Sequence, residues 1–176
     1  MALFDAGKLA KLHGAALSVA GYRNQASGFD PRSGDGARRF GGRFNPPHSF
    51  PVIYLCTSRP CVVAELTRQA QRQSLAVDDL LPRELWRITV ELTKVLDLTQ
   101  RDTLEALEID PTDLIRDDLQ LTREIGEAAQ EHRFQAIRSA SVTGVDDVLA
   151  VMPENLAGAV LLAELIQEWT TAGDLP

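Results

Sequence analysis

The sequence lacks the features that mark several common classes of protein. It contains only two cysteines among 176 residues, Cys56 and Cys61, and no cluster of Cys or His accompanies them. A disulfide framework or a zinc site therefore has too few ligands, and a reducing cytoplasm fits this composition. No window approaches the ~18 uninterrupted apolar residues of a membrane-spanning helix, and the first residues show no export signal. We expect a cytoplasmic protein with no membrane partner.

Positive charge is also scarce in the chain as a whole. Eighteen Lys and Arg residues face 25 Asp and Glu residues, and the net charge of -7 argues against general binding of DNA or RNA. The distribution is uneven, because residues 1–59 carry a balance of +5 and the remainder carries -12. Arginine concentrated in the first third predicts a site for a compact anion, since guanidinium groups match phosphate geometry. The alternative is an ordinary solvated surface.

Familiar nucleotide-binding and catalytic motifs are missing as well. The glycines between residues 34 and 42 precede a predicted strand and do not join a strand to a helix, which excludes a Rossmann site. No G-x-x-x-x-G-K-S/T sequence is present. His13, His48 and His132 are scattered without the spacing of metal ligands or of a hydrolase triad, so we expect no metal.

Length, composition and periodicity predict one α+β domain over residues 1–176. Strands are predicted at residues 51–56, 86–92, 134–137 and 148–152, with 95–98 as an extension, and helices at 5–20, after Ser58, and at 121–132. The helix after Ser58 is predicted to turn Arg68 and Arg72 toward solvent. Residues 28–42 are predicted as a loop, 102–118 as a broken helical stretch, and 157–169 as either a helix or a strand. The apolar stretch 156–166 is expected in the core. We expect a mixed or antiparallel central sheet with flanking helices.

The densest group of polar residues, which we call the polar cluster, runs from Arg38 to Pro47 and reads Arg-Arg-Phe-Gly-Gly-Arg-Phe-Asn-Pro-Pro. The two glycines before Arg43 allow the backbone to approach a ligand, and the two prolines stiffen the exit, so that Arg43 is held in place. Tyr54 in the following strand and Glu65 on the following helix are candidates for the same site. Each also has a purely structural interpretation, as an exposed hairpin arginine, a core tyrosine and a surface carboxylate.

Five segments form a characteristic series along the chain. They are Gly-Gly-Arg-Phe-Asn-Pro-Pro, Ile53-Tyr54-Leu55, Ala64-Glu65-Leu66, Ile137-Arg138-Ser139-Ala140 and residues 148–155. Their order and spacing resemble the RES domain family over residues 22–155. The resemblance implies a fold similar to that of ADP-ribosyltransferases and a toxin of a bacterial type II toxin-antitoxin system that consumes NAD as its substrate. It also implies a cognate antitoxin with an Xre-like DNA-binding region as the partner.

The same resemblance implies roles for individual residues. Glu65 stabilises the positive charge that builds on the ribose as the nicotinamide bond breaks, and Arg43 and Tyr54 complete the catalytic group. Tyr54 stacks on the nicotinamide ring, and Ser139 orients the ribose or the amide. Many members have proline before that serine, where this chain has Arg138. The implied NAD-binding residues are Arg23, Arg39, Arg43, Tyr54 and Ser139.

Three functions are compatible with these residues. Water or phosphate as acceptor gives an NAD glycohydrolase or phosphorylase, whereas a protein acceptor, such as a nucleotide-synthesis enzyme, gives a mono-ADP-ribosyltransferase. The choice between them depends on which acceptor reaches the ribose. A non-catalytic module that binds a nucleotide or a protein is the third. The acidic segment 110–118 is either solvated surface or a contact for a basic patch of the antitoxin.

Overall fold

The computed structural model describes residues 1–176 as a six-stranded sheet with five α-helices around it. The strands are β1 (Ala15–Gln25), β2 (Ile53–Cys56), β3 (Arg83–Asp97), β4 (Ala136–Ala140), β5 (Asp147–Val151) and β6 (Leu162–Trp169). The helices are α1 (Ala6–Leu9), α2 (Asp35–Phe40), α3 (Arg59–Arg72), α4 (Arg101–Leu107) and α5 (Gln120–Glu131). None of them combines the length and apolarity that crossing a membrane requires.

The sheet is mixed and curls back on itself. Its strand order is β1-β2-β5-β4-β3-β6, and β1 also pairs along most of its length with β3. Only the β3–β4 pair is parallel. The strand β1 meets β2 at a single register position, Tyr22 opposite Cys56, so the two strands diverge on either side of it. The predicted α+β class with a mixed sheet is confirmed.

The strand and helix that follow the polar cluster are confirmed where they were predicted. The β-branched and aromatic run Ile53–Cys56 forms β2, buried in the sheet between β1 and β5. The hydroxyl of Ser58 accepts a hydrogen bond from the backbone N–H of Cys61 and caps α3, with Pro60 in the first turn. The strands β4 and β5 are joined through a turn in which Gly144 has φ of 77°.

The predicted helix over residues 5–20 is wrong beyond its first turn. The helix α1 ends at Leu9, and β1 begins at Ala15 after Gly14, whose φ is 76°. The spacing of Leu12, Ala16 and Val19 suits a helix, yet Leu17 and Val19 also alternate as a strand requires. Pairing with β3 decides between the two.

Two other stretches differ from the sequence prediction. Residues 28–42 contain the short helix α2, which ends at Phe40 and is followed by Gly41 with φ of 74°. Residues 157–169 form β6, at the edge of the sheet beside β3. The expectation that the apolar stretch 156–166 belongs to the core is wrong for most of it, because Val160 and Leu162 are 67% and 64% exposed. Trp169 at the strand's end is fully buried.

The core holds the polar cluster against the sheet. Phe44 is fully buried in a core cluster with side chains of β4, β5 and α5, including Ile137, Ala150 and Ile125. The helix α5 approaches Phe44 very closely, because a Cβ placed on Gly126 would lie 1.6 Å from the Phe44 carbonyl oxygen. The residue that follows Arg43 therefore fixes the position of the cluster.

Candidate active site

The polar cluster, β1, β2 and α3 surround a cavity of about 390 Å³. We call it the main cavity, and its charged and polar lining consists of Tyr22, Arg23, Asn24, Arg43, Tyr54, Glu65, Arg68 and Arg72. Apolar side chains of β2, α3, β5, the end of β4 and the residues after it, and Leu119 before α5 complete the wall. Four of the predicted site residues, Arg23 from β1, Arg43 from the loop after α2, Tyr54 from β2 and Glu65 from α3, are thus brought together.

Glu65 is oriented by a chain of hydroxyl groups. It lies half-buried on α3, and its Oε1 accepts a hydrogen bond of 2.7 Å from the Oγ of Ser141. Ser141 follows the last residue of β4, is buried, and lies 2.6 Å from the hydroxyl of Thr143. A carboxylate that accepts a hydrogen bond from a buried donor is held in one orientation.

Tyr54 positions the turn that carries Arg43. Its hydroxyl accepts from the backbone N–H of Phe44 at 2.9 Å and donates to Oδ1 of Asn45 at 2.8 Å. Burial raises the pKa of the Tyr54 phenol far above its ordinary value, so the group is a neutral donor at any physiological pH. Only glycine fits at position 42, because a Cβ there would lie 2.5 Å from the Tyr54 hydroxyl.

Arg43 is anchored through part of its guanidinium group. Its Nη1 donates to the carbonyl oxygens of Leu114 at 3.0 Å and Arg116 at 2.9 Å. Burial lowers the pKa of Arg43, and the charge of the Glu65 carboxylate raises it in part. The other guanidinium nitrogens have no hydrogen-bond partner within the protein, so Arg43 has donors available for an anion.

Arg23, on β1, is anchored in the same manner. Its Nη1 donates to the carbonyl oxygens of Pro31 at 3.0 Å and Ser33 at 3.1 Å. Burial lowers the pKa of Arg23, and Asp30 raises it in part. The ion-pair partner of Asp30 is Arg32. Both arginines therefore face the cavity on a rigid base of backbone carbonyls.

The comparison with known families settles what kind of domain this is. The model of the RES domain matches residues 18–172. The chain belongs to the RES domain family. It is 36% identical over 126 residues to the NAD(+) phosphorylase MbcT of Mycobacterium bovis and of two strains of Mycobacterium tuberculosis, a match that covers 70% of this chain and 68% of the relative.

A solved structure resembles this RES domain over nearly its whole length. It is a chain in the crystal structure of the M. tuberculosis MbcT-MbcA toxin-antitoxin complex, with a TM-score of 0.77 and 29% sequence identity. The similarity covers 92% of this chain and 91% of that chain.

The structure does not bring Ser139 or Arg39 to the main cavity of the RES domain. Ser139 is fully buried within β4, its hydroxyl has no hydrogen-bond partner, and it is not part of the cavity wall. Arg39 is exposed on α2, away from the wall. Ser141, two residues further along, contacts Glu65 instead. The two serines differ because β4 ends at Ala140, between them. The sequence does not show where this strand ends.

Sequence reasoning also missed three side chains of the cavity wall. Arg72 is exposed as predicted and Arg68 is half-buried, and both also line the main cavity together with Asn24. The spacing of Glu65, Arg68 and Arg72 along α3, three and then four residues, is the signal for a shared helix face. No group of three or more His, Cys, Asp or Glu side chains is arranged to hold a metal ion.

Proposed function

We propose that this RES domain is an NAD-consuming toxin that splits the bond between nicotinamide and ribose, with inorganic phosphate as the acceptor. The observation that carries the proposal is the Glu65 carboxylate, fixed by Ser141, in one cavity with Arg23 and Arg43. The similarity to a protein named NAD(+) phosphorylase supports phosphate as the acceptor.

The chemistry matches the residue types in the main cavity. Cleavage passes through a transition state in which positive charge builds on the ribose, while nicotinamide leaves as a neutral base. A carboxylate already held in place stabilises that charge without reorganising. The free guanidinium N–H groups of Arg23 and Arg43 suit the oxygens of the diphosphate. A cavity of about 390 Å³ is within the size range of small-molecule sites.

The geometry supports different roles for two of the predicted residues. Tyr54 contributes its ring to the cavity wall for contact with nicotinamide, and its hydroxyl positions the Arg43 turn. We assign the orienting hydroxyl to Ser141 in place of Ser139, since only Ser141 reaches Glu65. Arg39 receives no role in NAD binding.

A cognate antitoxin is the proposed partner. The structural neighbour is a toxin bound to its antitoxin, which supports such a partner for this chain. An Xre-like DNA-binding region in that antitoxin and a fold of the ADP-ribosyltransferase type belong to the same proposal and come from the family resemblance. A cytoplasmic location belongs to it as well and comes from the composition of the chain. An antitoxin that covers the main cavity would keep the complex inactive.

The test is to incubate purified protein, free of antitoxin, with NAD and to identify the products by mass spectrometry. We expect nicotinamide and ADP-ribose 1''-phosphate when phosphate is present. Glu65→Gln is expected to lower kcat/KM by ~10²-fold or more, because it removes the negative charge beside the ribose. The matched control is Glu91→Gln, an exposed glutamate on β3.

Each other result has a definite meaning. ADP-ribose that appears only on an added protein would make the domain a transferase, and free ADP-ribose alone would make it a glycohydrolase. No NAD loss by the folded protein under any condition would favour the non-catalytic binding module. A Glu65→Gln variant as active as the control would contradict the role given to Glu65.

A further inference from the structure

The helix α3 carries two arginines beyond Glu65 that the cleavage chemistry does not use. Arg68 and Arg72 line the main cavity and also a second cavity of about 540 Å³ that shares part of its wall. We call this second cavity the side pocket. Its wall consists of Asn24, Glu65, Leu66, Arg68, Gln69, Arg72 and Gln73, of which only Leu66 is hydrophobic. The side pocket is therefore polar, unlike the main cavity.

The positive charge of the side pocket is only partly compensated within the protein, by Glu65 in its wall and by Asp117. Two arginines four residues apart on a helix repel each other. Arg72 has no ion pair or side-chain hydrogen bond, and Arg68 has one partner, the exposed Asp117, at 2.9 Å. Arg23 and Arg43 already supply a pair of guanidinium groups for a diphosphate. The second pair thus has room for a second anion.

Two hydrogen-bond acceptors lie beside these donors. The Oδ1 of Asn24 is buried and has no hydrogen-bond partner, although Asn24 lines both cavities. A buried acceptor without a partner costs free energy unless a ligand supplies the donor. Glu65 also lines both cavities and is a further acceptor. A site with cationic donors and with acceptors suits an oxyanion that carries a proton.

We propose that the side pocket binds the inorganic phosphate that attacks the ribose; this rests on the proposed function. Arg68 and Arg72 hold the phosphate oxygens, and the P–OH group donates to Asn24. Sulfate has the same shape but no hydrogen to donate at neutral pH, so the acceptors disfavour it. Asn24 and Glu65 mark the junction at which phosphate meets the ribose of NAD in the main cavity.

The reaction at this junction balances. An oxygen of HPO₄²⁻ forms a bond to the C1'' carbon of the ribose, and the bond from that carbon to the nicotinamide nitrogen breaks. The bonding electron pair stays on the nitrogen and neutralises the pyridinium charge. The products are nicotinamide and ADP-ribose 1''-phosphate, and the P–OH proton stays on the phosphate.

The decisive experiment measures the KM for phosphate and the KM for NAD separately. Arg72→Gln is expected to raise the KM for phosphate ~10-fold or more, because a charge-assisted hydrogen bond is lost, and to change the KM for NAD much less. Arg101→Gln on α4 removes the same charge from an exposed residue and is expected to change neither. A rise in the KM for NAD with an unchanged KM for phosphate would overturn the assignment.

Sulfate provides a second test of the acceptors. As a competitor of phosphate, sulfate is expected to inhibit the wild-type protein weakly. In Asn24→Ala, the ratio of the inhibition constant of sulfate to the KM for phosphate is expected to be lower than in the wild type. Sulfate that competes equally well in both proteins would remove Asn24 from the phosphate site. The two proposals fail separately: absence of NAD loss in the wild type contradicts the function, whereas phosphate-dependent loss that Arg72→Gln leaves intact contradicts only the side pocket.

Discussion

At the scale of single residues, two serines show how closely position controls a role. Ser139 and Ser141 lie on either side of the end of β4, and both are buried. The hydroxyl of Ser141 reaches Glu65, and the hydroxyl of Ser139 has no partner. Removing the Ser141 hydroxyl breaks a hydrogen bond to a charged group, whereas removing the Ser139 hydroxyl removes a buried polar atom that has no partner.

We therefore expect opposite results from the two alanine variants. Ser141→Ala is expected to lower kcat for NAD cleavage about 10-fold or more, because Glu65 loses its buried donor. Ser139→Ala is expected to retain kcat, and its free energy of unfolding should change by at most about 1 kcal/mol. Steady-state kinetics and urea denaturation measure both quantities. Equal kinetic losses in the two variants would contradict the role given to Ser141.

Most of the candidate site could be predicted from residue identity and order. Arg23, Arg43, Tyr54 and Glu65 meet in one cavity as the family resemblance implied, although their roles are still proposals. The hydrogen bonds that anchor Arg43 and Arg23 could not be predicted, because their acceptors are backbone carbonyls of loops far along the chain or without local sequence signals.

At the scale of helices and strands, the sequence predicts an element correctly where the residues that determine it are close together in the chain. The β-branched run of β2 and the Ser58 cap of α3 suffice to predict both. The strand β1 could not be predicted in this way, because its pairing depends on β3, whose residues come much later in the chain. The sequence also does not show that a strand lies at the edge of a sheet, and the core position expected for residues 156–166 is wrong for that reason.

The packing of α5 against the polar cluster gives a prediction about two glycines in helices. Gly126→Ala is expected to lower the free energy of unfolding by at least ~1–3 kcal/mol, because the new Cβ would overlap the Phe44 carbonyl. Gly36 in α2 is the matched control, since a Cβ there meets nothing within 4 Å. Gly36→Ala should be neutral or stabilise by ~0.5–1 kcal/mol.

Urea denaturation of the two variants distinguishes the mechanisms. A shift of the midpoint to lower urea in Gly126→Ala alone is the expected outcome. Similar shifts in both variants would show that the close approach of α5 to Phe44 does not limit stability. The KM for NAD should also rise in Gly126→Ala, because Phe44 adjoins Arg43.

At the scale of the whole molecule, charge is arranged around the entrance to the main cavity. The acidic segment 110–118 borders it, because Arg43 binds the carbonyls of Leu114 and Arg116 and Arg68 pairs with Asp117. Asp118 is exposed beside them. A basic surface on the antitoxin that covers the cavity would meet these carboxylates.

We expect charge reversal at this entrance to weaken antitoxin binding. Asp118→Lys should raise the Kd of the complex several-fold at low salt, and the difference should shrink at high salt because exposed charges are screened. Asp102→Lys, at an exposed position on α4, makes the same change of charge elsewhere. Equal affinities for the two variants at both salt concentrations would exclude the segment from the interface.

The pairing of β1 with β3 also has a consequence for the timing of synthesis. Arg23 comes from the first strand and Ser141 follows the fourth, so the cavity exists only after most of the chain has left the ribosome. Strand pairings between distant parts of a sequence form slowly. Under the proposed function, the nascent chain has no complete site for NAD, which leaves an interval in which the proposed antitoxin can bind the finished protein.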